Sequence, residues 1–278
     1  MGLTATYLVA VRTVRGQFLD VLALSGQKVE PEPMVTSAYT LLGTISVASV
    51  VAVLVGVMVV GLVRKRRRVG MIVAGIVLGA IATTEALKHV ILTRPYLIRL
   101  SDLDVAVNTL PSGHSTTAMS VVIALILLVP KRFQFLSAIL GAPYAVGIGI
   151  ATVVVHWHRP SDVVAAWFVV ACWTFLGLAA LRLTDALTAD EPAAWGRFIG
   201  PGLVALVVVA TAILFVTTVI GLTARLPDIP GSEHRDALKS AFAFGFSMAS
   251  IAATAATFIG TLLWVLRDSV LVDSSDHS

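Results

Sequence analysis

Residues 38–63, AYTLLGTISVASVVAVLVGVMVVGLV, contain no charged side chain and are followed at once by the basic run Arg64-Lys65-Arg66-Arg67-Arg68. About 20 consecutive apolar residues are enough for a helix to cross the hydrocarbon core of a bilayer. Basic residues in a short loop indicate its cytoplasmic side. This stretch therefore predicts a membrane-spanning helix that ends in the cytoplasm.

Further apolar stretches of similar length predict more spans. They are residues 69–92, 114–130, 133–155, 163–181, 199–222 and 240–266. We therefore expect an all-α, polytopic transmembrane bundle of about seven spans. Alternating outward from the basic loop places the C-terminus in the cytoplasm and three loops on the outer side of the membrane. These outer loops are residues 93–113, 156–162 and 223–238.

The composition excludes several classes of protein. Of the 278 residues, 57% are hydrophobic and only 13% are charged, whereas soluble domains carry about 25% charged residues. The net charge of +4 is concentrated in the loop at 64–68, so no nucleic-acid partner is expected. The single cysteine, Cys172, allows no intrachain disulfide and no cysteine-based metal site.

The N-terminal residues 1–30 predict a different element. An apolar face opposes a second face with Arg12, Arg15 and Asp20, which favours an amphipathic helix lying at the membrane interface. A short eighth span is the alternative. The residues of the apolar face are Leu8, Val11, Val14, Phe18, Leu22 and Leu24.

Polar side chains concentrate in three segments where a predicted span meets an outer loop. Four of the six histidines lie in or beside them. The segments are Lys88-His89-Val90-Ile91-Leu92-Thr93-Arg94-Pro95, Pro111-Ser112-Gly113-His114-Ser115 and His156-Trp157-His158-Arg159-Pro160-Ser161-Asp162. Because all three occur at the same side of the membrane, helix packing can bring them together.

The first two segments contain groups suited to binding a phosphate. Lys88 and Arg94 can hold its oxygens, arginine by a two-pronged contact. Ser112-Gly113 stands directly before an apolar helix, and a glycine there lets backbone N–H groups approach an anion at the helix N-terminus.

The third segment contains groups suited to catalysis. Asp162 follows His158 by four residues, one helical turn, so its carboxylate can bond one imidazole nitrogen and leave the other free to attack. His114, in the second segment, is a further imidazole able to protonate a leaving oxygen.

The three segments resemble, in order, the signature motifs of the type 2 phosphatidic acid phosphatase (PAP2) superfamily, which includes membrane lipid phosphatases and soluble vanadium haloperoxidases. The motifs are a lysine, a spacer and Arg-Pro; Pro-Ser-Gly-His; and Ser-Arg, five residues, His, three residues, Asp. The resemblance covers roughly residues 70–182. It favours the membrane lipid phosphatase branch, because the predicted spans exclude a soluble haloperoxidase.

The resemblance implies a role for each matching residue. His158 corresponds to the nucleophile that forms a phosphohistidine, Asp162 to its orienting carboxylate and His114 to the general acid. The phosphate-binding set corresponds to Lys88, Arg94, Ser112 and Gly113. No metal and no other cofactor is implied, because side chains supply the positive charge.

Two departures from the motifs bear on this interpretation. Five residues separate Lys88 from Arg94 where the family has six, which displaces Lys88 by about 100° around a helix unless the chain unwinds before Pro95. The arginine of the third motif is replaced by Thr152, and its preceding serine by Ala151. Arg159 and Arg99 are the candidate replacements.

The expected function is hydrolysis of a membrane lipid phosphate or diphosphate through a phosphohistidine at the outer membrane face. The lack of a glycosylation sequon favours a bacterial plasma membrane. A lipid-linked phosphotransferase and a non-catalytic lipid-binding protein with a degenerate site are the alternatives, and a homo-oligomer stays open. The expected organisation is an N-terminal interfacial segment (1–35), a catalytic helical core (36–183), and two further spans with a cytoplasmic tail (184–278).

Overall fold

The computed structural model of the protein describes residues 1–25, 32–97, 108–189 and 232–271, together with positions 210, 213 and 220. The N-terminal part consists of α1 (Gly2–Thr6), a π-helical turn (Tyr7–Val11) and α2 (Val14–Ser25). The bundle consists of α3 (Glu32–Leu42), α4 (Val47–Val63), α5 (Arg67–Ala86) with a second π-helical turn (Leu87–Ile91), α6 (Gly113–Leu128), α7 (Lys131–Val154), α8 (Pro160–Leu183) and α9 (Ser232–Leu266). Two short strands, β1 (Leu187–Ala189) and β2 (Ser269–Leu271), pair antiparallel.

Within the described residues, four helices are long and apolar enough to cross a membrane. They are Arg67–Ile91, Lys131–Val154, Pro160–Leu183 and Asp236–Leu266. Helices α3 and α4 form a fifth candidate if they are one span, bent by 47°. The apolar stretch 199–222 lies outside the described residues. The predicted all-α polytopic bundle is confirmed, with four to five candidate spans in the part of the chain that is described.

Helix α6 is too short to be one of the candidate spans, and the position where it ends has a local cause. Its 16 residues span about 24 Å, less than the roughly 30 Å of a hydrocarbon core. It ends at Leu128 because Pro130 disfavours helical geometry at Val129, which is extended. Most of α6 is buried, and it packs against α5, α7 and α8. It is therefore the central helix of the bundle.

A glycine brings α7 and α8 close together below the polar segments. A Cβ placed on Gly149 would lie 2.8 Å from Val163 Cγ1 and 3.3 Å from the Trp167 ring. Real Cβ atoms do not approach this closely, so the spacing of the two helices requires a residue without a side chain. This contact holds the end of α7 beside the start of α8, where the third polar segment lies.

The N-terminal part packs against the bundle, with α1 on α8 and α2 on α9. The single amphipathic helix expected here is interrupted at Arg12. The π-helical turn ends before this residue, and the new helix α2 begins at Val14. As a result, the residues expected on one apolar face do not share one environment. Val11 and Leu24 are buried, whereas Leu8, Val14 and Phe18 are exposed. Arg12 and Arg15 are exposed as expected. The placement of Asp20 on the same polar face is wrong, because Asp20 is only 6% exposed.

The close approach at Gly149 yields a stability test. We expect Gly149→Ala to lower the free energy of unfolding by about 1–3 kcal/mol, because the added methyl group overpacks the α7–α8 contact. Gly75→Ala on α5 is the matched control, since a Cβ there meets nothing within 4 Å. It should leave stability unchanged or raise it through helix propensity. Thermal unfolding in detergent measures both, and equal midpoints for the two variants would contradict the packing argument.

Candidate active site

The carboxylate of Asp162 lies in the first turn of α8 and is fully buried. Pro160 takes the first helical position, where its missing N–H costs no hydrogen bond and its fixed φ suits a helix. Asp162 Oδ2 accepts a hydrogen bond from the backbone N–H of Arg159 at 3.0 Å. Because a carboxylate is also favoured near a helix N-terminus, the local sequence alone places Asp162 at this end of α8.

His158 precedes α8 in the turn that follows α7 and is also buried. Its backbone N–H donates to the Thr152 carbonyl at 3.1 Å, which closes the turn. The ring Nδ1 lies 3.4 Å from Asp162 Oδ2. A carboxylate at Nδ1 holds the proton of the neutral ring there. The lone pair is then on Nε2, which becomes the nitrogen able to attack an electrophile.

Thr152, which stands where the third motif has an arginine, is fully buried in the last turn of α7. Its hydroxyl donates to the Gly149 carbonyl at 2.7 Å. It therefore provides no positive charge. Of the two candidate replacements, Arg99 lies outside the described residues, whereas Arg159 lies directly beside Asp162.

Two buried guanidinium groups flank the Asp162 carboxylate. Arg94 Nη1 lies 3.7 Å from Asp162 Oδ1. Arg159 Nη1 donates to Thr109 Oγ1 at 3.0 Å, and the Thr109 hydroxyl donates to Asp162 Oδ2. Among the described residues, Arg94 Nη1 and Arg159 Nε are buried without a hydrogen-bond partner. Because buried polar atoms are nearly always paired, these two N–H groups are available to an anion entering the cluster.

The segment Pro111–His114 begins α6 and contacts Asp162 through its backbone. The Ser112 N–H donates to the Asp162 carbonyl at 3.0 Å. Ser112 Oγ caps α6 by accepting from the Ser115 N–H at 3.3 Å. The N-termini of α6 and α8 therefore meet at this point. Both carry partial positive charge from their unpaired N–H groups, which favours an anion between them.

Lys88 lies above the start of α6, despite the short spacing to Arg94. A Cβ on Gly113 would lie 3.6 Å from Lys88 Nζ and 3.3 Å from Glu85 Oε1. Lys88 Nζ and Glu85 Oε1 are themselves 3.5 Å apart. Helix α5 changes to a π-helical turn at Leu87–Ile91 and ends there, before Pro95. This change of winding brings Lys88 to the second segment, where its ammonium group lies within van der Waals distance of the start of α6.

His114 is the second residue of α6 and is partly buried. Its ring centroid lies 5.3 Å from that of Trp157. It is near enough to His158 and Lys88 to interact with both electrostatically. His156 and His89 lie outside this group. The His156 ring contacts the Leu24 carbonyl at 3.3 Å, and the exposed His89 ring contacts Glu85 Oε2 at 3.1 Å.

Asp20 of α2 contacts the same cluster through Arg94 and Ser161. Its Oδ2 accepts from Arg94 Nη2 at 3.0 Å and from the Ser161 hydroxyl at 2.5 Å. Burial raises the pKa of the Asp20 carboxyl, the nearby Asp162 carboxylate raises it further, and Arg94 lowers it. Two aspartates and two arginines thus alternate in a buried chain of charges, Asp20, Arg94, Asp162 and Arg159.

The structure brings together every residue that the sequence suggested for the site. These are His158, His114, Asp162, Lys88, Arg94, Ser112 and Gly113. Two of its members were missed, Asp20 and Thr109. Asp20 had a signal, because a carboxylate within the apolar run Phe18-Leu19-Asp20-Val21-Leu22 indicates a functional or paired charge. Thr109 had none beyond lying next to the second segment.

Residues 69–186, which contain all seven of these positions, match the PAP2 superfamily. This region of the chain belongs to the PAP2 superfamily. The matched residues run from the start of α5 to the end of α8 and the turn after it, so the PAP2 region is the four-helix part of the bundle around α6. Helix α2, with Asp20, lies outside it. No curated protein and no solved structure matches the chain.

Across residues 1–25, 32–97, 108–189 and 232–271, no group of three or more His, Cys, Asp or Glu side chains could hold a metal ion. The positive groups of this candidate site are the side chains Lys88, Arg94 and Arg159 and the two helix N-termini.

The buried charges of the PAP2 site yield a second stability test. We expect Asp162→Asn to lower the free energy of unfolding by about 3–5 kcal/mol, because it leaves two buried guanidinium groups without their shared counter-charge. The control is Asp268→Asn, which removes the carboxylate of an exposed pair with Arg267 and should change stability by less than about 1 kcal/mol. If thermal unfolding in detergent gives equal midpoints for both variants, the buried carboxylate does not support the fold in this way.

Proposed function

We propose that the protein is a membrane lipid phosphatase that hydrolyses a lipid phosphate or diphosphate at the outer membrane face through a phosphohistidine on His158. The observation that carries the proposal is the buried His158–Asp162 pair, set beside two buried guanidinium groups that each have a nitrogen without a hydrogen-bond partner. This is a nucleophile next to an anion-binding site, within a PAP2 superfamily domain.

In the proposed reaction, the substrate phosphate lies between the N-termini of α6 and α8. Lys88, Arg94 and Arg159 balance its negative charge, and the N–H groups at Gly113 and His114 bind its oxygens. His158 Nε2 attacks phosphorus while the bond from phosphorus to the leaving oxygen breaks. His114 gives its proton to that oxygen, which departs as an alcohol, or as a lipid monophosphate when the substrate is a diphosphate.

The second half of the reaction regenerates the enzyme. Water attacks the phosphohistidine, His114 takes a proton from that water, and the bond from phosphorus to Nε2 breaks. Inorganic phosphate leaves and His158 returns to its neutral form. Throughout, Asp162 holds the proton on Nδ1 and stabilises the positive ring.

A lipid substrate is supported by the surface around the site. Val90 and Ile91, on the same π-helical turn as Lys88, are 82% and 62% exposed. Trp157, adjacent to His158, is exposed, and its ring contacts Tyr39 and His114. Aromatic side chains of this kind favour the membrane–water interface. A headgroup at Lys88 and His158 would therefore leave its acyl or prenyl chain against an apolar surface.

Phosphate release from a lipid panel tests the proposal. The panel contains phosphatidic acid, phosphatidylglycerol phosphate, a polyprenyl diphosphate and a lipid-linked sugar phosphate. We expect the wild-type protein to release phosphate from at least one of them, and His158→Ala to release it only at the uncatalysed rate. His89→Ala, which removes an exposed histidine, is the matched control and should retain activity. A His158→Ala variant as fast as the wild type would exclude the mechanism.

The leaving group distinguishes the role of His114. Removing a general acid costs about 10²–10⁴-fold in rate, and we expect a loss in this range for His114→Ala with an alkyl phosphate. With an aryl phosphate, whose leaving oxygen needs no proton, the loss should be much smaller. An equal loss for both substrates would contradict proton donation by His114. Adding an alcohol and finding it phosphorylated would indicate phosphotransfer in place of hydrolysis.

The observation that favours a non-catalytic lipid-binding protein is Thr152 in place of an arginine. Against it, Arg159 is buried beside Asp162 with an unpaired Nε. We propose that Arg159 supplies the charge that Thr152 does not.

Removing the positive charge at position 159 and restoring one at position 152 tests this replacement. We expect Arg159→Gln to lower phosphate release by about 10²-fold, the size of effect seen when one transition-state donor is removed. Adding Thr152→Arg to that variant should recover part of the rate, because an arginine then stands where the third motif has one. Arg182→Gln, at the other end of α8, is the control. Full activity of Arg159→Gln would show that this cation is not used.

A further inference from the structure

Asp20 is the one acidic side chain in α2, a helix outside the PAP2 region, and its contacts all lead into the site. Its Oδ2 accepts from Arg94 Nη2 and from the Ser161 hydroxyl, and its Oδ1 accepts from the Ser161 backbone N–H at 3.3 Å. Ser161 lies between His158 and Asp162 in the first turn of α8. One carboxylate therefore bonds to both the first and the third motif.

Other residues of the N-terminal part bond to the backbone around Arg94. Gln17 Nε2 donates to the Pro95 carbonyl at 2.7 Å, and the Tyr7 hydroxyl donates to the Thr93 carbonyl at 2.8 Å. The carbonyls on both sides of Arg94 are thus held by side chains from residues 7–17. The position of Arg94 is determined by the N-terminal part as well as by the end of α5.

The charge of Asp20 has a specific effect on Arg94. Arginine and carboxylate groups prefer a two-pronged contact when nothing competes. Asp20 bonds Nη2, so Arg94 reaches Asp162 only through Nη1 at 3.7 Å, on the Oδ1 side. Asp162 Oδ2 is left for Thr109, for the Arg159 N–H and for His158 Nδ1. Without the Asp20 charge, Arg94 would be free to bind Asp162 with both nitrogens and weaken its contact with His158.

We propose that Asp20 is a positioning residue of the phosphatase site, which holds Arg94 away from Asp162 and thereby keeps Asp162 paired with the nucleophile His158. The proposal rests on the phosphatase function proposed above. It makes the N-terminal part of the chain a component of the active site.

Kinetics of charge-removing and charge-keeping variants of the full chain test this proposal. Removing a hydrogen-bond partner of a metal ligand costs about 10–100-fold in activity, and by analogy we expect a loss of this order in kcat for Asp20→Asn, with little change in KM. Asp20→Glu keeps the charge and should recover part of that loss. Asp268→Asn, at an exposed carboxylate, should behave as the wild type.

A double-mutant cycle separates positioning from general support of the fold. If Asp20 acts through Arg94, Asp20→Asn should cost no further activity in an Arg94→Gln background. A multiplied loss in the double variant would overturn the proposal, and so would a wild-type kcat for Asp20→Asn. If Asp20→Asn does not fold, Asp20→Glu replaces it in the cycle. Its activity is then compared with that of the wild type, and the activity of the Asp20→Glu, Arg94→Gln double variant with that of Arg94→Gln. A wild-type protein that releases no phosphate from any lipid refutes the proposed function itself, which the Asp20 variants cannot do.

Discussion

The carboxylate of Asp162 receives hydrogen bonds or charge contacts from three separate parts of the chain, and the polar cluster is organised around it. Removing a carboxylate from water costs several kcal/mol, and the cost is offset only where charged groups and hydrogen bonds surround it. Here they come from Arg94 after α5, from Thr109 before α6 and from His158 and Arg159 before α8. The need to satisfy this one buried charge holds the three polar segments together.

The bundle brings such a cluster together at one end of its helices. The end of α5, the start of α6, the end of α7 and the start of α8 all lie near Asp162, because these antiparallel neighbours pack around the central helix α6. Two helix N-termini at this level contribute partial positive charge without any basic side chain. Val90 and Ile91, on the same π-helical turn as Lys88, are exposed apolar side chains. For the proposed lipid substrate, a polar headgroup and an apolar tail would therefore contact the protein within a single helical turn.

Each of the two departures from the PAP2 motifs has a structural counterpart, one in the backbone winding and one in the charges of neighbouring residues. The short spacing between Lys88 and Arg94 is accommodated by the π-helical turn at Leu87–Ile91. The place of the third-motif arginine is taken by a threonine whose hydroxyl bonds its own helix, while Arg159 lies on the other side of His158 in the chain. Asp20 of α2 forms an ion pair with the other buried arginine, Arg94. The charges are redistributed among different residues, and the cluster contains two guanidinium groups.

The helices, their apolar character and the three polar segments could be predicted from the sequence, because each depends on residues close together in the chain. An uncharged stretch such as 38–63 is a local property, and so are the cap that begins α8 at Pro160 and the four-residue spacing of His158 and Asp162. Three features were decided only by the tertiary structure: the burial of Asp20 beside Arg94 and Ser161, the approach of Lys88 to Gly113, and the contact of Thr109 with Arg159. Each joins residues that are 25 to 141 positions apart in the chain, and such pairs leave no periodic pattern in the sequence. The break at Arg12 shows the same limit, since it turned Asp20 from the expected polar face to the inside, where a distant arginine and serine satisfy its charge.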